Sequence, residues 1–370
     1  MKKLLGHGTH LLFSLVLLWG LAGCTNPFNR LRTPDNTDAN GEITIYTPLD
    51  ANRTTPYLRV FSTKYPDIQV NLVTLSTDDI FHRLLAERED PQADVVWGMS
   101  ATILALSQWE GLLMPYSPEG VDRVYAQFRD TDTPPYWVGV AGWMSAFCVN
   151  TGRLEELGLP RPESWSNLFD PIYAGEIALP SPTESGTGYL IVDAILERYG
   201  EVKGWKNLDI LHENTKIYTI AEPRPCQMAA DGDVAIGVST ELAPVELIAQ
   251  GKPIEMVLTT GETGWDIEAN ALVRKDQARR RDRRMKDAAK TFLDWAISDQ
   301  TMELYGESRI ILSMPIENHF PPPGFPEEPL TLLFDKDFPW ASANHDRILA
   351  EWTKRYGSKM EEAAIPDESE

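Results

Sequence analysis

Three apolar, β-branched runs, Ile43–Thr47, Ile68–Val73 and Ala93–Trp97, are separated by segments of helical period. The first intervening segment carries Tyr57, Val60, Phe61 and Tyr65 before stopping at Pro66-Asp67, and the second runs from Ile80 to Arg88. Strands of this kind need apolar cover on both faces, and a helix between successive strands supplies it. The chain is therefore an α/β protein with a parallel or mixed sheet.

A second set of elements begins near Gly139. Ala146–Asn150 reads as a strand, Trp165–Leu168 as a short helix, and Glu176–Pro180 as a strand ended by proline. Ser185-Gly186-Thr187-Gly188 then leads into an apolar helix from Tyr189 to Tyr199. Val234–Ser239 and Ile254–Leu258 are further strands, Ala288–Trp295 is an amphipathic helix, and Ala343–Tyr356 reads as a terminal helix. Arg274–Lys286 holds eight basic residues but is interrupted by Asp276 and Asp282, which makes it a solvated helix face and turn. No internal repeat of fixed period is present.

With 370 residues, the chain has room for about two domains. Its 55 acidic against 34 basic residues give a net charge of −21, which repels phosphate backbones and argues against nucleic-acid binding. The first residues stand apart from the fold. Lys2 and Lys3 precede an apolar run, Leu11–Leu18, that continues to Leu21-Ala22-Gly23-Cys24. This is the anatomy of an export signal, with a run too short to span a bilayer comfortably. The last four residues resemble a bacterial lipobox, which implies cleavage after residue 23 and lipid on Cys24. Residues 24–41, rich in Asn, Asp, Thr and Pro, read as a flexible tether, and residues 358–370 as a flexible tail. In an oxidising compartment the remaining cysteines, Cys148 and Cys226, are either a disulfide or two buried thiols.

Enzyme motifs are absent: there is no P-loop, dinucleotide fingerprint, zinc-protease helix or nucleophile elbow. His82, His212, His319 and His345 are too scattered for a local metal cluster, and no metal or cofactor is expected. Ser185 has no obvious base beside it, so anion binding is the better reading than covalent catalysis. Thr47, Ser76, Thr77, Ser100, Ser185 and Thr187 all follow expected strands, and in open α/β sheets ligands sit at those ends. Glycine-containing turns at helix starts, such as Gly186, present free N–H groups to an anion. Taken singly, each of these residues is equally a helix cap or turn former. Glu241 follows another strand end, and Asp266 and Glu268 face alike because they stand two apart in an extended segment. An ammonium ion fits between such acids, with Trp97, Trp143 and Trp265 as candidate cleft walls.

Ile45-Tyr46-Thr47, Pro91–Gly98, Ser185–Gly188 and Gly264–Glu268, in that order, resemble the extracytoplasmic solute-binding proteins of ABC importers. The likeness extends through Pro225-Cys226 and Arg347–Trp352, and within the superfamily it is nearest to the 2-aminoethylphosphonate-binding branch, itself related to ferric-iron-binding proteins. The resemblance implies a two-lobe periplasmic-binding-protein-like fold with hinge strands and an interlobe ligand cleft that shuts by hinge closure. Lobe one would take residues 42–146 and 269–357, and lobe two 147–268. Ser185, Gly186 and Thr187 would bind the phosphonate with Thr47, Ser76 and Thr77, while Glu241, Asp266 and Glu268 would receive the amine. The implied protein is a monomeric, non-enzymatic lipoprotein that passes its solute to an ABC permease. The sequence departs from the branch at Thr240-Glu241-Leu242, where flanking aromatics are usual, and at Pro182-Thr183-Glu184 in the phosphate loop. No adjacent tyrosines occur at 240–242 either, which weakens a ferric reading. Another small anion, ferric iron or a metal–anion complex, or a polyamine remains an alternative ligand, and an exported hydrolase or a purely structural lipoprotein an alternative class.

Overall fold

The computed structural model describes residues 41–275 and 280–362, with the side chains of 280–286 left aside. Cys24, nearly all of the tether, residues 276–279 of the basic run and most of the tail lie outside the described residues. The chain opens with β1 (Gly41–Thr47), α1 (Ala51–Lys64), β2 (Ile68–Thr74), α2 (Thr77–Ala86), β3 (Val95–Ser100), α3 (Ala101–Trp109) and the short β4 (Leu113–Met114). Next come β5 (Trp137–Val149), α4 (Thr151–Leu157), β6 (Ile177–Pro180), α5 (Gly186–Tyr199), α6 (Glu201–Asn214), β7 (Thr215–Thr219) and α7 (Arg224–Asp231). After these follow β8 (Ile236–Thr240), α8 (Leu242–Ala249), β9 (Glu255–Val257) and β10 (Trp265–Val273). The chain finishes with α9 (Arg280–Ala296), α10 (Asp299–Gly306), β11 (Ile311–Leu312), α11 (Phe338–Ala343) and α12 (His345–Tyr356).

The strands form one curled sheet in the order β2-β1-β3-β10-β5-β8-β6-β7, with β4 on β10 and both β9 and β11 on β5. β1 is parallel to β2 and β3, and β6 is parallel to β7 and β8, as the alternation of strands and helices requires. β5 and β10 run antiparallel between these two halves: Trp137–Met144 of β5 pair with β10, and Ser145–Val149 pair with β8. One apolar core lies around β1, β3 and β10, and a second lies around Phe147, Leu190, Ile195 and Ile236. β5 and β10 are thus the crossing strands of a two-lobed binding-protein fold.

The strand expected at Ala146–Asn150 is the end of one that starts at Trp137, 13 residues long. Gly139 and Gly142 within it meet a packing need. A Cβ at Gly139 would stand 2.4 Å from Ile267 Cγ2, and one at Gly142 would stand 3.2 Å from Phe128 and Ile311. The expected terminal helix is α12, and a short further helix, α11, precedes it, capped at its start by Asp337, which accepts from Trp340 N–H at 2.9 Å. α12 packs on the second core through Ile348, Trp352 and Tyr356, with Trp352 edge-on to Tyr218 at 4.8 Å.

Cys148 on β5 and Cys226 on α7 are joined as a disulfide, with Cα atoms 5.2 Å apart and both residues fully buried. The bridge spans 78 positions and fastens the first turn of α7 to a crossing strand. Replacing both cysteines with alanine is expected to lower stability by about 2–4 kcal/mol, as read from urea melts of oxidised protein. A loss below about 1 kcal/mol would mean that the loop closure contributes little.

Candidate functional site: an acid-lined cleft ringed by helix N-termini

After β2, β3 and β6 a serine caps the helix that follows. Ser76 caps α2, accepting from Asp79 N–H at 3.1 Å, and Ser100 caps α3. Ser185 caps α5, where Gly188 N–H approaches its hydroxyl at 3.4 Å. These turns open on one cavity of about 480 Å³, to which Thr77, Thr102 and Thr187 contribute from the first turns of α2, α3 and α5. N–H groups in a first turn have no partner within their own helix and carry the positive end of its dipole. A compact anion is the natural occupant of such a position.

Acids form much of the remaining wall. Asp266 and Glu268 both line the cavity, as their spacing on β10 predicts. Asp266 accepts from the Ser100 hydroxyl at 2.7 Å and from Ile267 N–H at 2.6 Å, and is therefore held by the protein itself. Glu268 is not free for an amine as expected. Its Oε2 takes both Nε and Nη2 of Arg309 at 2.8 Å, which leaves Oε1 buried without a partner. Glu241 is fully buried, with Oε2 accepting from Met144 N–H at 2.9 Å and Oε1 unpartnered. Burial pushes its carboxyl up to about 7, and the nearby Glu222 charge adds to the shift.

Three expected residues take other roles. Thr47 is buried in the turn after β1, where its hydroxyl accepts from Leu49 N–H at 3.1 Å, and Pro48 and Leu49 line the cavity in its place. Trp97 and Trp265 are core residues: their indole N–H groups donate to Tyr305 Oη at 2.7 Å and to Phe334 O at 2.9 Å. Strand alternation explains both, since Gly98 and Ser100 on β3 and Asp266 and Glu268 on β10 face the cavity and send the tryptophans the other way. Of the three tryptophans, Trp143 lines the cavity.

Sequence reasoning missed Arg53, Tyr189, Glu222, Arg309 and His345, all of which line the cavity. Asp50 caps α1 seven residues ahead of Tyr57, and this brings Arg53 into the first turn. Glu222 precedes the Pro-Arg-Pro-Cys start of α7 and accepts from Thr240 N–H at 2.5 Å, a contact 18 positions distant that no local pattern announces.

A curled α/β sheet with two crossing strands and a polar cleft is the architecture of the two-lobed binding proteins. The chain belongs to the family described as bacterial extracellular solute-binding proteins, whose model matches residues 44–303. Its fold is similar to that of the periplasmic binding protein AfuA from Actinobacillus pleuropneumoniae with exogenous fructose-6-phosphate bound, with a TM-score of 0.72 and 26% identity. That likeness covers 86% of this chain and 99% of the other. An uncharacterised protein of Haemophilus influenzae is 26% identical over 88% of this chain and 93% of its own length. A probable ABC transporter periplasmic-binding protein of Sinorhizobium fredii, y4fP, is 28% identical over 64% of each chain. The protein is the non-enzymatic solute-binding component of an ABC importer, acting outside the cytoplasm and delivering a small molecule to its permease. Among the described residues no helix is long and apolar enough to cross a membrane.

Proposed function

We propose that the solute is a small organophosphorus compound whose other end carries hydrogen-bond donors, with 2-aminoethylphosphonate as the first candidate. One observation carries this reading: hydroxyl-flanked helix N-termini share a single cavity with carboxylates that lack a cation. Ser76, Thr77, Ser185, Gly186 and Thr187 would hold the phosphonate oxygens, with the α2 and α5 dipoles behind them. Glu241 and Glu222 would meet the ammonium, and Asp266 would orient Ser100 at the cleft floor. Arg309 neutralises Glu268, so the remaining acids favour a zwitterion over a dianion.

A sugar phosphate is the second reading, supported by the likeness to AfuA, because carboxylates accept from sugar hydroxyls as readily as from an ammonium. Lobe one would comprise residues 42–146 and 269 to about 340, lobe two the rest up to about 360, and hinge closure would bring the phosphonate and amine contacts together. Cleavage before Cys24 and lipid on its sulfur would tether the receptor to a membrane.

Calorimetry on the full chain tests the reading, with 2-aminoethylphosphonate, ethylphosphonate, fructose-6-phosphate, inorganic phosphate and ferric citrate run in parallel. The aminophosphonate is expected to bind saturably with a dissociation constant near micromolar, about −8 kcal/mol, and ethylphosphonate at least about tenfold more weakly. Tighter binding of fructose-6-phosphate would select the second reading. Failure of every phosphorus solute to bind folded protein would overturn both.

A further inference from the structure

Glu241 stands between β8 and α8, at the N-cap position of the helix, with a carboxyl group that solvent does not reach. Met144 N–H satisfies one oxygen, and the other is buried at the cavity wall with no partner. A second acid, Glu222, lines the same cavity and raises Glu241 through its charge. Arg309 also faces Glu241 but is committed to Glu268 at 2.8 Å, while Arg53 and Glu246 act on Glu222 with opposite sign. Among the described residues neither acid has an ion-pair partner. Glu222, half-buried, accepts from Thr240 N–H at 2.5 Å, one residue before the fully buried Glu241, so the two acids share one wall of the cavity. A buried carboxylate with a second acid beside it does not stay ionised cheaply, so either one holds a proton or a cation arrives from outside. The free Oε1 marks where that cation would dock.

We propose that Glu222 and Glu241 form a paired-acid subsite that takes the cationic end of the solute and releases a proton to solvent in doing so. This rests on the organophosphorus reading and specifies its donor-bearing end. In the step, the O–H bond of the Glu241 carboxyl breaks, its proton passes to water or buffer, and the carboxylate becomes the partner of an ammonium that keeps its own protons. No other bond changes. Desolvation holds Glu241 near 7 in the empty receptor and shifts Glu222 upward as well. Below that pH the acid must lose its proton before it can pair. Affinity for a cationic solute therefore climbs as pH rises toward about 7 and levels off above it.

The experiment is calorimetric titration of the full chain with 2-aminoethylphosphonate at about pH 6 in two buffers of different ionisation enthalpy, with ethylphosphonate and fructose-6-phosphate as companions. The expected result is a buffer-dependent heat equivalent to about one proton released per aminophosphonate, falling toward none at about pH 8, and no such dependence for ethylphosphonate. Glu241→Gln keeps an acceptor for Met144 N–H, so its melting curve should stay close to that of the parent. It should bind the aminophosphonate about 100-fold more weakly, without the buffer dependence, while its affinity for ethylphosphonate changes by less than about threefold. Glu222→Gln should act in the same direction.

Tight aminophosphonate binding with buffer-independent heat would overturn the paired-acid proposal and leave the organophosphorus reading standing. So would preferential binding of fructose-6-phosphate that Glu241→Gln weakens with no proton release. Failure of all three solutes to bind would overturn both readings together.

Discussion

Lys336→Met is expected to cost about 3–5 kcal/mol of unfolding free energy, enough to remove a large part of an ordinary domain's stability. Lys336 Nζ donates to Asp193 Oδ2 at 2.8 Å and to Trp265 O at 2.9 Å, and neither charged side chain is exposed. Without the ammonium, Asp193 would be a buried carboxyl with no cation, and its Oδ1 already lacks a partner. The double replacement Asp193→Leu with Lys336→Met should recover most of the loss, because it removes the stranded charge along with the pair. Urea melts of the two variants decide the matter. If the double variant is as unstable as Lys336→Met alone, packing around the site, rather than the unpaired charge, sets the cost. The pair joins α5, which belongs to the second core, to the segment leading into α11, and Tyr189 Oη reinforces the link by donating to Ala341 O at 2.6 Å. Ser185–Thr187 begin the same helix, so solute affinity should fall with stability.

Gly264→Ala is expected to be nearly as damaging, at about 3 kcal/mol or more, with reduced solute affinity in whatever protein folds. A Cβ there would lie 2.1 Å from Leu190 O and 2.8 Å from Leu190 C. Both atoms are backbone within α5, so relief requires the helix to move away from the start of β10 and not merely a side chain to rotate. That movement would separate Thr187 from Asp266, two walls of the same cavity. Thermal melts and calorimetry on the variant check both effects. Parent-like stability would mean that the chain before β10 yields at low cost.

Much of this arrangement was legible locally. β1 and β2 announce themselves by β-branched runs, and Ser76, Ser100 and Ser185 by standing between a strand and a helix. The i, i+2 spacing of Asp266 and Glu268 predicts their common face, and the same rule, applied to Trp265, places it on the opposite one. The first half of β5 has no such local signal: Gly139 and Gly142 are explained by Ile267 and Phe128, which occupy the space their side chains would fill. The roles of the tryptophans needed knowledge of which strand face each neighbour covers.

Periodicity and chain order by themselves determined the alternating α/β class, the strand ends that gather at the cleft, and the resemblance to importer receptors. Only the tertiary structure decided which acids are free. Glu268 meets Arg309 across 41 positions, Asp193 meets Lys336 across 143, and Glu241 has no ion-pair partner among the described residues. A helix or strand is written in intervals of two to four residues, whereas the charge state of a buried acid depends on whichever distant side chain the crossing strands bring to it.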